Sequence, residues 1–180
     1  SLLDLAAKRS IDVDQTRDLI LAIDEPEAFL HPSGQRTFAK QILDSDVAAK
    51  LFISTHSPFF VEEANFSDVV LVANHRFYFP SVAGDQREQI NTALMSGHGA
   101  EMLFARSVLL VEGEADRNFF ETLRRRIAPQ DKTGACDKIF VLSVGGKNGF
   151  APWITLLNSY SIRSAGALPI QWLVVADSDS

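Results

Sequence analysis

Cysteine is nearly missing from this 180-residue chain: Cys136 is its one thiol. An intrachain disulfide framework is therefore excluded, and a reducing cytoplasm is the expected setting. Long apolar runs are missing as well. Stretches such as 107–111 and 139–142 are strand-sized, well short of the ~20 residues a bilayer-spanning helix needs, so no membrane span is expected. The opening SLLDLAAKRS lacks a basic leader and a cleavage pattern, and no signal peptide is expected from it. Positive charge is in deficit: Lys and Arg number 17 against 23 Asp and Glu, for a net charge of −6. The surface as a whole is not one that gathers polyanions, although the local run Arg124, Arg125, Arg126 could still meet phosphates. Tyrosine is sparse too, with only Tyr78 and Tyr160. What the chain does have is 46% hydrophobic residues, enough to build one ordinary domain or two small ones.

The order of elements reads as α/β. Residues 19–23 (LILAI) form an apolar run that ends in Asp24-Glu25-Pro26, the pattern of a strand buried on both faces of a parallel sheet. Helical spacing of Phe38, Ile42 and Leu43 predicts a helix over 33–43. A strand at 51–54 runs into Thr55-His56-Ser57-Pro58, where Ser57 as cap and Pro58 in the first turn start a short helix. Residues 69–72 and 76–79 read as a hairpin. Polar, Gly-dotted residues 81–104 then suit a linker with one helix. From there strand 107–111, helix 115–127, strand 138–144, helix 150–160 and strand 170–176 make two successive βαβ crossovers, whose strand carboxyl ends share one sheet edge. Phe119, Phe120, Leu123 and Ile127 are expected to lay the first of these helices on the sheet, and Trp153, Leu156, Leu157 and Tyr160 the second.

Acidic residues crowd that edge. Glu112, Glu114, Asp116 and Glu121 lie on or just after the 107–111 strand, and Asp177 and Asp179 end the last one (LVVADSDS). If the two strand ends meet, Glu112, Asp116, Asp177 and Asp179 surround one point. Hard oxygen ligands converging in this way are what Mg²⁺ or Mn²⁺ takes, because the cation offsets the repulsion between carboxylates. Two such ions could clamp the attacking and leaving oxygens of a phosphodiester displacement. Glu114 and Glu121 are better explained by a helix start and a solvated face. Asp137 belongs to the turn before the middle strand. After that strand, SVGGKNGF puts Gly145, Gly146 and Lys147 at the same edge, where bare amides and one point charge could contact DNA phosphate, although a plain glycine turn explains the same residues.

Strand-Glu-Gly (LLVEGEAD) followed about 65 positions later by strand-Asp-x-Asp (LVVADSD) resembles the Toprim domain of primases, topoisomerases and some nucleases. The resemblance implies that Glu112 acts as metal ligand or general acid/base, that Asp177 and Asp179 hold metal, and that Asp116 is a second acidic position of the nuclease branch.

The first half carries a different likeness. LILAIDEPEAFLHP and, about 30 residues on, LFISTHSP resemble the Walker B and switch-histidine segments of ABC-type ATPases of the Rad50 and SMC branch. In such ATPases Asp24 would help hold Mg²⁺, Glu25 would orient the attacking water, and His56 would sense the γ-phosphate. His31 in the LHP turn is expected to be structural. No Gly-x-x-x-x-Gly-Lys-Ser/Thr stretch occurs anywhere in the chain. An ATPase segment without that phosphate cradle is not expected to bind ATP alone, and the chain is expected to be a piece of a longer protein.

An ABC-type ATPase tail running into a Toprim domain, joined by FARSVLLVEG, resembles the overcoming lysogenization defect (OLD) family of nucleases, which includes the nuclease subunit of the Gabija anti-phage system. The resemblance implies the C-terminal part of an ATPase head over 1–80, a linker over 81–104, and a Rossmann-like Toprim parallel sheet over 105–180, both domains incomplete. It implies a DNA endonuclease with two Mg²⁺ or Mn²⁺ ions, ATP as cofactor of the full-length protein, homo-oligomers of two or more copies, and a helicase-like partner protein. Two alternatives stay open at this point: a nucleotide-gated DNA-binding scaffold that does not cut, and a Toprim enzyme of primase or topoisomerase type. The latter needs a catalytic tyrosine, whereas Tyr78 and Tyr160 both lie in core patterns.

Overall fold

The computed structural model describes residues 20–45, 50–82, 84–95, 99–160 and 170–176. By contact the chain divides into two compact units, Ser1–Glu63 and Ala64–Ser180.

In the first unit the order is β1 (Ile20–Asp24), α1 (Pro32–Leu43), β2 (Lys50–Ser54) and α2 (Pro58–Glu63). The two strands pair in parallel from Ile20↔Lys50 to Asp24↔Ser54, so their carboxyl ends are level. Pro32 occupies the first turn of α1, and His31 caps it by accepting the Ser33 amide on Nδ1 at 3.4 Å, the structural role expected for that histidine. Ala39, Ile42 and Phe60 are buried, and Ile23, Phe38, Leu43, Leu51 and Ile53 close around them. Burial of a side chain the size of Phe60 contributes about 1.5–3 kcal/mol. Arg36 ties the two helices together through Glu62, 2.7 Å away, while its guanidinium lies over Phe59.

The strand 19–23 was expected to be buried on both faces, and here the structure differs. Burial alternates along β1 and β2, with Ile20 and Phe52 exposed on one face and Leu21, Ile23, Leu51 and Ile53 turned toward the helices. Among the described residues a single helical layer covers this sheet, on the face of Ile23, Leu51 and Ile53.

The second unit opens with a hairpin, β3 (Leu71–Ala73) and β4 (Arg76–Tyr78), followed by α3 (Gly84–Met95). Its turn is the two residues Asn74 and His75, both at positive φ (51° and 60°), the signature of a primed hairpin turn. Next come β5 (Ser107–Val111), α4 (Glu114–Ile127), β6 (Ile139–Ser143), α5 (Phe150–Ser159) and β7 (Gln171–Val175), forming a parallel sheet in the order β6-β5-β7. The connection from β5 to β6 and the one from β6 back past β5 to β7 run in opposite directions across the sheet, so right-handed crossovers put α4 and α5 on opposite faces.

Helix α5 buries Phe150, Trp153, Leu156 and Leu157. It packs on α3, whose Ile90 and Leu94 are buried. The Tyr160 ring meets Phe66 edge-on, and its hydroxyl donates to the Val69 carbonyl at 3.2 Å. These contacts join residues 64–95 to the second unit, and the contact division therefore lies upstream of the linker expected from composition.

Helix α4 departs from expectation in its orientation. Phe119, Leu123 and Ile127 are exposed, whereas Arg117, Phe120, Glu121 and Arg124 are half-buried. The face laid against β5 and β6 is the neighbouring i, i+3, i+4, i+7 row, one position round the helix from the apolar stripe.

Candidate functional site

Each unit brings chemistry-bearing residues to a strand edge. In the first, parallel register sets Asp24 directly beside Ser54, whose hydroxyl donates to the Asp24 carboxylate. Glu25 follows at φ 42°, a left-handed conformation that costs a non-glycine residue about 1–3 kcal/mol. Its amide donates to the Ser54 carbonyl at 2.9 Å, which pins the turn to β2. His56 Nε2 lies 3.5 Å from Glu25 Oε1, and both side chains are largely exposed. The structure thus brings together Asp24, Glu25 and His56, three residues the sequence singled out.

It also brings in one that the sequence reading missed. Glu27 is only 8% exposed. Its Oε1 accepts from Thr55 Oγ1 at 2.6 Å, from the His56 amide at 2.7 Å and from the Ser57 amide at 3.1 Å. Burial raises the Glu27 carboxyl, but the hydrogen bonds from Thr55 and from backbone amides outweigh it, and the group is held below its ordinary value. Only the return of a loop 28 to 30 residues away reveals this role.

In the second unit β5, β6 and β7 end together, Val111 being in register with both Ser143 and Val175. Glu112 leaves β5 at that edge. It is half-buried, and its Oε2 is a buried oxygen that accepts no hydrogen bond among the described residues. Asp116 stands three positions into α4 from its Gly113 cap and accepts the Gly113 amide on Oδ2 at 3.0 Å. Glu114 pairs with Arg117 at 3.3 Å and Glu121 with Arg124 at 2.7 Å, both local i, i+3 helix pairs. Asp137 sits in the 3₁₀ turn that leads into β6.

The loop after β6 reaches the same edge. Gly146 donates its amide to the Glu112 carbonyl at 2.8 Å. Gly145 and Gly146 have φ of 76° and 110°, conformations that favour glycine. Lys147 is exposed and begins a 3₁₀ turn that continues into α5.

Asp177 and Asp179 lie outside the described residues, which follow β7 as far as Ala176. Among the described residues no three His, Cys, Asp or Glu side chains group to hold a metal ion. Glu112 offers one buried carboxylate oxygen without a hydrogen-bond donor at the end of β5, level with the end of β7, a donor type that suits a hard cation, and Glu27 Oε2 is in the same condition in the first unit.

Fold and sites together define an ATPase-type strand edge followed by a parallel α/β sheet with an acidic edge. Comparison with known proteins agrees in the same order along the chain. Residues 1–61 match the AAA ATPase domain family, and residues 103–179 match the overcoming lysogenization defect protein-like Toprim domain. Endonuclease GajA of Bacillus cereus (strain VD045) is 30% identical over 80% of this chain and 25% of its own length. The OLD nuclease of Thermus scotoductus is 33% identical over 87% of this chain and 30% of its own. The Old nuclease of Escherichia phage P2 is 23% identical over 87% of this chain and 28% of its own. Residues 103–179 thus carry an OLD-type Toprim domain and residues 1–61 an AAA ATPase segment, and the chain spans between 25% and 30% of the length of these curated relatives.

Proposed function

We propose that the protein of which this chain forms part is a metal-dependent DNA endonuclease whose Toprim site is governed by an ATPase site. The observation that carries this reading is Glu112, with a buried carboxylate oxygen lacking any donor where β5 and β7 end level. Asp116, Asp177 and Asp179 are proposed to complete the donor set, and the Toprim segment is proposed to run over 105–180, with the ATPase segment over 1–80. Two divalent cations, Mg²⁺ or Mn²⁺, would supply Lewis-acid stabilisation of the attacking and leaving oxygens. The protein's own part is to fix Glu112 at the strand end through the Gly146 amide and to present the Gly145, Gly146 and Lys147 edge to a DNA phosphate.

At the other site Asp24 is proposed to take the Mg²⁺ of bound ATP, Glu25 to orient the attacking water, and His56 to meet the γ-phosphate. ATP, DNA, self-association and a helicase-like partner all belong to this proposal for the full-length protein. The names of the relatives, two nucleases and an endonuclease, support it. Tyr78 and Tyr160 are 3% and 0% exposed, so neither of these two is placed to serve as a topoisomerase nucleophile.

The test is plasmid nicking by the full-length protein with Mg²⁺ or Mn²⁺. Glu112→Ala and Asp177→Ala are each expected to abolish nicked and linear products while leaving the circular dichroism spectrum unchanged. Undiminished cutting by the double variant refutes the site, relaxed closed circles indicate a topoisomerase, and DNA binding without product indicates a scaffold.

A further inference from the structure

His56 needs something to hold it, and its visible side-chain neighbour is too weak to do so. Its pair with Glu25 is 3.5 Å long, with the two side chains 84% and 52% exposed. Exposed pairs of this kind contribute about 0–1 kcal/mol. The backbone of the loop is held from elsewhere. Ser57 is anchored twice over, its hydroxyl donating to Gln35 Oε1 at 2.9 Å and its amide reaching Thr55 Oγ1 at the same distance. The His56 amide, between these anchors, donates to Glu27 Oε1 at 2.7 Å. Thr55 Oγ1 donates to the same oxygen at 2.6 Å. One buried carboxylate oxygen therefore gathers three consecutive residues of the loop. Burying a carboxylate is costly unless donors offset it, and the donors that Glu27 Oε1 has all come from that one loop, while Oε2 is buried without a hydrogen-bond partner among the described residues.

We propose that Glu27 is a positioning residue of the nucleotide site, its carboxylate setting the backbone of residues 55–57 so that the His56 imidazole stands at Glu25. The proposal rests on the ATPase reading above. Glu25 and Glu27 flank Pro26 on one short segment leaving β1, so the group that would orient water and the group that holds the histidine loop move as one. Pro26 fixes φ between them and stiffens the link. The loop geometry is thereby tied to the Walker B strand through a bond to its middle residue, besides the pairing of β1 with β2.

The experiment uses the full-length protein and the variants Glu27→Ala, Glu27→Gln, His56→Ala and the double variant Glu27→Ala/His56→Ala. Amide hydrogen exchange at His56 reports placement, and amides of β1 and β2 report that the unit is folded. Glu27→Ala is expected to speed exchange at His56 by roughly tenfold or more, the loss of one charge-assisted hydrogen bond, with the strand amides unchanged. Glu27→Gln keeps an acceptor oxygen and is expected to retain most of the protection. In ATP turnover, Glu27→Ala is expected to lower kcat as much as His56→Ala does, with KM for ATP within about twofold of wild type. The double variant is expected to turn over no more slowly than His56→Ala alone, since a residue acting through His56 has nothing left to act on. Unchanged exchange at His56 in Glu27→Ala, or multiplicative losses in the double variant, overturns the proposal while the ATPase reading stands. A wild-type protein that turns over no ATP overturns the ATPase reading and the role of Glu27 in turnover with it.

Discussion

Replacing Gly146 with alanine tests whether the loop after β6 is held in the conformation that carries its amide to Glu112. Gly146 sits at φ 110° and ψ 170°, a region nearly closed to L-residues, where a side chain brings about 1–3 kcal/mol of strain. A Cβ built there meets nothing within 4 Å, so the effect is one of backbone alone, with no clash added. Alanine also stiffens the unfolded chain, which returns about 0.4–1 kcal/mol. Should the loop relax instead, the 2.8 Å bond from the Gly146 amide to the Glu112 carbonyl is lost. A bond of that kind contributes about 0.5–1.5 kcal/mol, so either route gives a similar loss. The net expectation is a destabilisation of about 1–2 kcal/mol, which at ~1–2 kcal/mol per molar urea lowers the unfolding midpoint by roughly 0.5–2 M. Both tryptophans, Trp153 and Trp172, lie in the second unit. Urea unfolding followed by tryptophan fluorescence therefore reads that unit selectively. Gly145→Ala is the internal comparison, because φ 76° lies closer to the left-handed well that alanine can enter for about 1–2 kcal/mol. A midpoint for Gly146→Ala at or above wild type, or a larger loss for Gly145→Ala, refutes the reasoning.

Two further outcomes follow from the same geometry. Leu156 is fully buried and Leu123 is 39% exposed; Leu156→Ala should cost about 2–5 kcal/mol and Leu123→Ala less than about 1 kcal/mol in the same fluorescence assay, and equal losses would contradict the orientation given to α4. The Glu27 carboxyl is held below its ordinary value of 4.5, so its stabilising contribution is present above that value and lost as pH falls through the lower folded one; thermal melts of Glu27→Gln should show a deficit against wild type at neutral pH that shrinks on acidification, and a deficit that grows toward acid would reverse the sign.

Much of the fold was legible because its signals are local. Apolar runs bounded by Asp24-Glu25-Pro26 and by Ser57-Pro58 place β1 and α2 by the chemistry of strand ends and helix starts. The hairpin was legible as a hairpin, yet its turn is two residues long. Asn74 and His75 are both residue types enriched at positive φ, although neither is the glycine that usually marks such a turn. Orientation was less legible than existence. Phe119, Leu123 and Ile127 make a genuine helical stripe, but which row of α4 meets the sheet depends on where β5 and β6 run beneath it, and the adjacent row with Phe120 is the one half-buried.

The acidic residues make the same distinction at the level of chemistry. Spacing placed Glu112, Glu114, Asp116 and Glu121 near one edge, but spacing is blind to partners. Glu114 and Glu121 are matched by arginines three positions on, and Asp116 spends one oxygen on the Gly113 amide. Glu112 alone among these four keeps a buried oxygen without a hydrogen-bond partner. Glu27 also keeps one buried oxygen, Oε2, without a hydrogen-bond partner among the described residues, and differs in what its other oxygen meets. In DEPEAF it looks like one more acid beside Glu25, and what separates them is that Thr55, His56 and Ser57 return to Glu27 from about thirty residues downstream. A sequence motif therefore locates the edge at which carboxylates gather, while the donors each one meets decide which gathers a loop and which caps a helix.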